Sequence, residues 1–207
     1  MRVQHGFSLI ELMVCIAILA VMAGIGTPMM SMFFQNSRVS ATTNDLYSMI
    51  NLARAEAIRR NTRVTLCGVD AAGRCVSSTG NATPFEQYGW ALFEDTTSGA
   101  SSMDGAKAIV GKLIRVQSAP PAGLLIRSTF GYATFSPMGQ VRMEGSIAGG
   151  GSVKVCKSTN PATACDTSRN VRCISISGAG APYVKVPGSD TKAALASAGD
   201  GSGQGCE

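Results

Sequence analysis

The sequence predicts an α+β fold in which one long N-terminal helix packs on antiparallel β-sheet. From Phe7 to Pro28 every residue is apolar, small or hydroxylated except Glu11. Apolar residues then recur at helical spacing over residues 32–61, which predicts an amphipathic second half of the helix. From residue 62 onward, short alternating runs are separated by turns rich in glycine and serine, a pattern typical of antiparallel strands.

The apolar run of residues 7–28 is long enough to be a transmembrane helix. At about 1.5 Å rise per residue it makes about 33 Å of helix, against a bilayer hydrocarbon core of roughly 30 Å. Glu11 lies one turn into that helix, where a carboxylate costs about 2.5–3.5 kcal/mol, so its presence predicts a function. Two alternatives stay open: a secretory signal cleaved near Ala20, Ala23 or Gly24, and a glutamate that merely reaches the membrane surface.

Residues 29–61 are predicted to continue as an amphipathic helix that ends at Asn61-Thr62. One face carries apolar or small residues at alternating steps of four and three, namely Val39, Thr43, Leu46, Ile50, Ala53 and Ala57. Such a face must be covered by another layer of structure, and a sheet is the simplest cover.

The remaining chain is predicted to be a β-rich head domain, residues 62–187, followed by a flexible Gly/Ala/Ser-rich tail, residues 188–207. Strands are expected at residues 63–67, 88–93, 108–116, 123–128, 130–135, 140–144, 152–157, 171–177 and 182–186. No internal repeat is visible, and the roughly 180 residues outside the leader and the membrane helix are enough for one hydrophobic core.

Seven cysteines are present, and six of them follow the helix. An even number in an exported domain predicts disulfides and an oxidising compartment. Cys67–Cys75 and Cys156–Cys165 are the favoured pairs because each closes a short loop, and Cys173–Cys206 then ties down the tail. The sequence itself leaves this connectivity open. Cys15, inside the apolar run, is expected to pack as a small apolar residue.

The start of the apolar run resembles a known signal. Gly6-Phe7-Ser8-Leu9-Ile10-Glu11 is similar to the class III leader of type IV prepilins and type II secretion pseudopilins. The resemblance implies that residues 1–6 are a leader, that a prepilin peptidase cuts between Gly6 and Phe7, and that Phe7 is then N-methylated. It also implies that the helix is retained, first as a membrane anchor and later as the core of a filament. There the Glu11 carboxylate can neutralise the Phe7 amine of a neighbouring subunit.

Two further sequence segments indicate which group of pilin-like proteins the chain resembles. The segments 52–67 and, more loosely, 89–93 resemble the FimT/FimU-type minor pilins and the GspH-type pseudopilins. The resemblance implies a type IV pilin-like fold and a minor pilin that assembles into or primes a type IV pilus, in a tip complex with other minor pilins. The alternative is a minor pseudopilin of a type II secretion system.

The family also implies partners and a location. The partners are other minor and major pilins, the prepilin peptidase and the inner-membrane assembly platform. The location is the bacterial inner membrane, single-pass with the head in the periplasm, and then the pilus or pseudopilus.

The sequence contains no pattern that indicates a catalytic or metal site. The only histidine, His5, lies in the predicted leader, and no C-x-x-C spacing occurs. Histidine-based catalysis and ordinary zinc sites are therefore excluded. We predict no catalytic, metal or cofactor site, no small-molecule substrate and no enzymatic activity.

Positive charge is concentrated late in the chain. Between Lys107 and Arg172 there are nine basic residues against two acidic ones. Such a surface can bind the phosphates of DNA, and some FimT-like pilins are linked to DNA uptake through a Gly-Arg-x-Arg element near the C-terminus. The nearest match here, residues 168–172, lacks the glycine and has one extra residue between its arginines. The candidate contacts are Lys154, Lys157, Arg169 and Arg172; the alternative is a solvated basic face or one that meets an acidic pilin.

Overall fold

The computed structural model describes residues 8–73, 75–76, 88–95, 111–143, 150–160, 164–165 and 171–185, with the side chains of residues 25–29, 31, 158–160 and 164–165 left out. The predicted cleavage site Gly6-Phe7, Arg169, Cys206 and the tail lie outside the described residues. Within them the elements are α1 Leu9–Arg60, β1 Arg63–Val69, β2 Cys75–Val76, β3 Trp90–Asp95, β4 Gly111–Gln117, β5 Leu124–Ser128, β6 Tyr132–Phe135, β7 Val141–Met143, β8 Gly151–Asn160, β9 Ala164–Cys165, β10 Arg172–Ile176 and β11 Pro182–Lys185.

The chain forms two compact units, residues 1–37 and residues 38–207. The first unit contains the N-terminal part of α1. Within the described residues, none of the helices combines the length and the apolar character that crossing a membrane requires.

In the second unit, α1 buries the face that the sequence predicts. Val39, Thr43, Leu46, Ile50, Ala53 and Ala57 are all buried. The helix ends in a Schellman motif. Asn61 adopts φ 53°, the Thr62 N–H donates to the Ala57 carbonyl at 3.2 Å, and the Asn61 N–H donates to the Ile58 carbonyl at 3.3 Å. Asparagine tolerates this left-handed conformation better than most residues, so the predicted end of the helix is confirmed.

The first sheet has the strand order β4-β3-β1-β6-β7, with β2 also paired to β1, and every pair is antiparallel. In this sheet β1 lies centrally, with Leu66 opposite Leu92 of β3 and Ala133 of β6. An irregularity between Leu92 and Phe93 shifts the register of the edge strand β4.

The second sheet has the order β11-β10-β8-β5, with β9 also paired to β8. Its pairs are antiparallel too, and β8 lies between β5 and β10, with Val155 opposite Ile126 and Arg172. The α+β class with antiparallel pairing is confirmed, and the predicted strands are divided between two sheets.

One core joins these elements. It contains the buried face of α1, with Leu46 and Ile50, and apolar residues from both sheets, such as Leu66 and Trp90 in the first and Ile174 in the second. The buried face of α1 in the second unit is therefore covered by its own sheets.

Candidate functional site

The first described residues form the start of α1, within the leader-like motif. Ser8 precedes the first turn, and its carbonyl accepts a hydrogen bond from the Leu12 N–H at 3.2 Å. Glu11 lies in that first turn and is exposed. It is the only charged residue from Leu9 to Ser37. A carboxylate here interacts favourably with the positive end of the helix dipole.

The spacing Ser8-x-x-Glu11 also matches a capping box, a signal that the sequence reasoning missed. Neither side chain makes a hydrogen bond with another described residue. The Glu11 carboxylate is therefore exposed and able to meet a positive group of another molecule.

The helix surface around Glu11 is apolar on every side. Ten large apolar side chains are each more than half exposed: Leu9, Ile10, Leu12, Met13, Val14, Ile16, Ile18, Leu19, Val21 and Met22. A helix that is apolar all round is stable only when it is surrounded by lipid or by other protein. This segment is therefore a surface for association.

The disulfide prediction is confirmed for its first pair. Cys67 of β1 and Cys75 of β2 are bonded, with 5.6 Å between their Cα atoms. The turn between them is held by two bonds at 2.9 Å, from the Gly73 N–H to the Asp70 carbonyl and from the Ala72 N–H to Asp70 Oδ1. Cys156 and Cys173 are disulfide-bonded as well. Their predicted partners, Cys165 and Cys206, have side chains outside the described residues, so those two pairings stay predictions.

Charged side chains form an ion-pair cluster at the C-terminal end of α1, where Glu56 and Arg60 stand four residues apart. Glu56 Oε2 accepts from Arg59 at 2.6 Å and from Arg60 at 2.6 Å, and Arg60 Nη1 also donates to Glu94 Oε2 of β3 at 3.1 Å. The hydrogen bonds from Arg59 and Arg60 lower the pKa of Glu56.

A separate pair lies at the next residue of β3, where Arg63 Nε is 3.5 Å from the buried Asp95 Oδ2. These two residues are direct partners in the β1–β3 register, which only the sheet pairing reveals. Glu94 and Asp95 therefore bind the head's own arginines.

The candidate DNA contacts do not share one face. Lys154 of β8 stands directly opposite Arg127 of β5, and burial lowers the pKa of Lys154, with a further contribution from the Arg127 charge. Because successive side chains alternate, Lys157 lies on the other face of β8, and Arg172 shares that face as the partner of Val155. The register adds Lys185 to the face of Lys154, since both are opposite Cys173.

The family is decided by comparison with known sequences. Residues 42–180 match the family described as type II transport protein GspH, and residues 1–27 match the prokaryotic N-terminal methylation motif. The chain belongs to the GspH family. It is thus one of the minor pilins and pseudopilins of the type IV pilus and type II secretion systems, a family of structural proteins that assemble with other pilins. No curated protein matches the chain.

Two solved structures are similar to this GspH-family chain. The type IV minor pilin FimU of Pseudomonas aeruginosa is 14% identical, with 84% of this chain and 99% of that chain covered and a TM-score of 0.48. The minor pseudopilin EpsH of Vibrio cholerae is 13% identical, with 73% and 98% covered and a TM-score of 0.42.

Proposed function

We propose that this GspH-family chain is a minor pilin that assembles into or primes a type IV pilus, in a tip complex with other minor pilins. The observation that carries the proposal is the exposed apolar helix surface of residues 9–22 with Glu11 as its single charge. Such a surface suits a membrane first and a filament core afterwards. The role is structural, without catalysis, cofactor or small-molecule substrate.

The proposed route starts at the bacterial inner membrane. The prepilin peptidase cuts between Gly6 and Phe7 and Phe7 is methylated, while the helix of residues 7–28 holds the head in the periplasm. The assembly platform then moves the subunit into the filament. There the Phe7 amine of one subunit meets the Glu11 carboxylate of its neighbour, because an unpaired charge in an apolar core is costly.

The experiment is mass spectrometry of the mature protein from sheared surface filaments. The expected N-terminus is methylated Phe7 in a chain present in pili. A start after Ala20 or Ala23 would show an ordinary signal peptide instead.

Deleting the gene should reduce surface pili and leave protein secretion unchanged. The opposite result would favour the alternative, a GspH-type pseudopilin of a type II secretion system.

A second candidate function is DNA binding, favoured by one specific observation. Lys154 and Arg127 are like charges on directly opposed strands, and both burial and repulsion lower the pKa of Lys154. A phosphate bound between them would relieve that repulsion. A gel shift of the full chain in detergent with duplex DNA tests this: Lys154→Gln should weaken binding and flatten its salt dependence. Lys112→Gln, an exposed change on β4, is the matched control.

A further inference from the structure

One turn of the head lies directly against the helix. In the β6–β7 turn, the Ser136 N–H donates to the Gln140 carbonyl and the Gly139 N–H donates to the Ser136 carbonyl, both at 2.8 Å. Gly139 adopts φ 76°, and a Cβ at this position would lie 3.0 Å from Arg54 Nε and 3.2 Å from Ile58 Cδ1. Only glycine combines this backbone conformation with this approach to α1.

A second turn holds the first in place. The Gly178 carbonyl of the β10–β11 turn accepts from the Val141 N–H at 3.3 Å, and Gly180 packs against the Gly139 carbonyl. The β6–β7 turn is therefore fixed between α1 and a hairpin of the other sheet. A surface built on it is preorganised, so little conformational entropy is lost when it binds.

Two apolar side chains stand on this fixed turn and the adjoining helix. Met138, at the tip of the turn, is 85% exposed, and Ile58 is 52% exposed. Turn tips ordinarily carry polar residues or glycine, so an exposed methionine here is not required by the turn. We call Arg54, Ile58 and Met138 the Arg54–Met138 patch.

Arg54 is the charged member of the patch. Its Nε is inaccessible and, among the described residues, its guanidinium has neither a hydrogen-bond nor an ion-pair partner. The next two arginines of the helix, Arg59 and Arg60, both bind Glu56. The Glu56 carboxylate thus binds Arg59 and Arg60, and no described carboxylate pairs with Arg54, which lies one helical turn from the exposed Ile58.

We propose that the Arg54–Met138 patch docks a neighbouring pilin-family subunit, through a surface on which a carboxylate is flanked by apolar side chains. Arginine and methionine are enriched at the centres of protein interfaces, where charge complementarity sets the partner and the register. A nucleic acid would require several cations in a row, and the patch has one. This inference rests on the proposed function, since it names the part of the head that contacts the next subunit.

The test uses the full chain in its own membrane, with a photo-crosslinking amino acid at position 138. The expected product is a crosslink to a pilin-family subunit, mapped by mass spectrometry to a peptide that contains Asp or Glu. Arg54→Glu should reduce the crosslink at least about fivefold, the effect of losing one interface anchor, and Arg54→Lys should reduce it less. Arg115→Glu, the same charge change at an exposed position of β4, should leave it unchanged.

Met138→Asp keeps the test decisive if Arg54→Glu fails to fold, because position 138 is almost fully exposed. It should lower the amount of the protein in sheared filaments at least about fivefold at equal membrane abundance.

A photo-crosslinking amino acid at Ala72, in the exposed β1–β2 turn, measures background crosslinking. Crosslinking equal to Ala72, a crosslink to lipid or nucleic acid, or wild-type incorporation of Met138→Asp would overturn the inference. Absence of the wild-type chain from filaments would instead contradict the proposed function, while the crosslink in the membrane still tests the patch.

Discussion

The two halves of α1 differ in what their side chains have to pack against. From Leu9 to Met22 the helix is apolar on every side and exposed, with Glu11 as its single charge. From Val39 to Ala57 one face is buried on the head's own sheets, and Glu56 beside it binds Arg60. The first half therefore depends on other molecules for its stability, and the second half is stabilised by its own head domain.

The largest expected effect on stability comes from truncating a side chain in the buried half of α1. Leu46 is fully buried in the core, so Leu46→Ala should lower the free energy of unfolding of the head by about 2–5 kcal/mol through lost burial and a residual cavity. Leu12→Ala in the exposed half should change it by less than about 0.5 kcal/mol. Urea unfolding of the full chain in detergent, followed through Trp90 fluorescence, measures both. An equal loss in the two variants would contradict the division between the halves.

The next effect concerns the Cys67–Cys75 disulfide, which joins β1 to β2 in the head. Replacing both cysteines with serine should cost about 2–3 kcal/mol, because the unfolded chain regains the entropy of a short closed loop. The same urea experiment measures it. Counting reactive thiols in the folded wild-type protein is the control, and reactive thiols at Cys67 and Cys75 would contradict the pairing.

The smallest expected effect is a pH dependence of the ion-pair cluster. Hydrogen bonds from Arg59 and Arg60 hold the pKa of Glu56 below its ordinary value of 4.5. The folded state therefore releases this proton more readily than the unfolded state does. The resulting stabilisation is fully present above the unfolded pKa and is lost as the pH falls through the lowered folded value.

Glu56→Gln should accordingly lower the urea midpoint near neutral pH, where the wild-type stabilisation is fully present, and the difference between the two proteins should shrink as the pH falls below about 4.5. Asp45→Asn is the matched control, because Asp45 is an exposed acid on the same helix. Identical pH profiles for wild type and Glu56→Gln would show that the cluster does not contribute to stability.

The sequence predicted those features that depend on local pattern. The six residues of the helix face are all buried, since a 3.6-residue period identifies them without knowledge of the sheet. Cys67–Cys75 followed from its short loop. The division into two sheets did not follow, because β5 pairs with β8 across the intervening β6 and β7. The Arg63–Asp95 pair and the approach of Gly139 to Arg54 likewise depend on strand register and turn packing, which periodicity does not encode.

The central claim is that the charge of Glu11 serves assembly and not folding. Glu11→Gln tests it most directly, because glutamine keeps the shape and the capping-box spacing and removes only the charge. Wild type and variant are compared at equal membrane abundance by the amount of the chain in sheared filaments and by the unfolding of the head. We predict at least about a tenfold loss from filaments, since breaking a buried ion pair costs about 3–5 kcal/mol, with unfolding of the head unchanged. Wild-type incorporation of Glu11→Gln would contradict the claim.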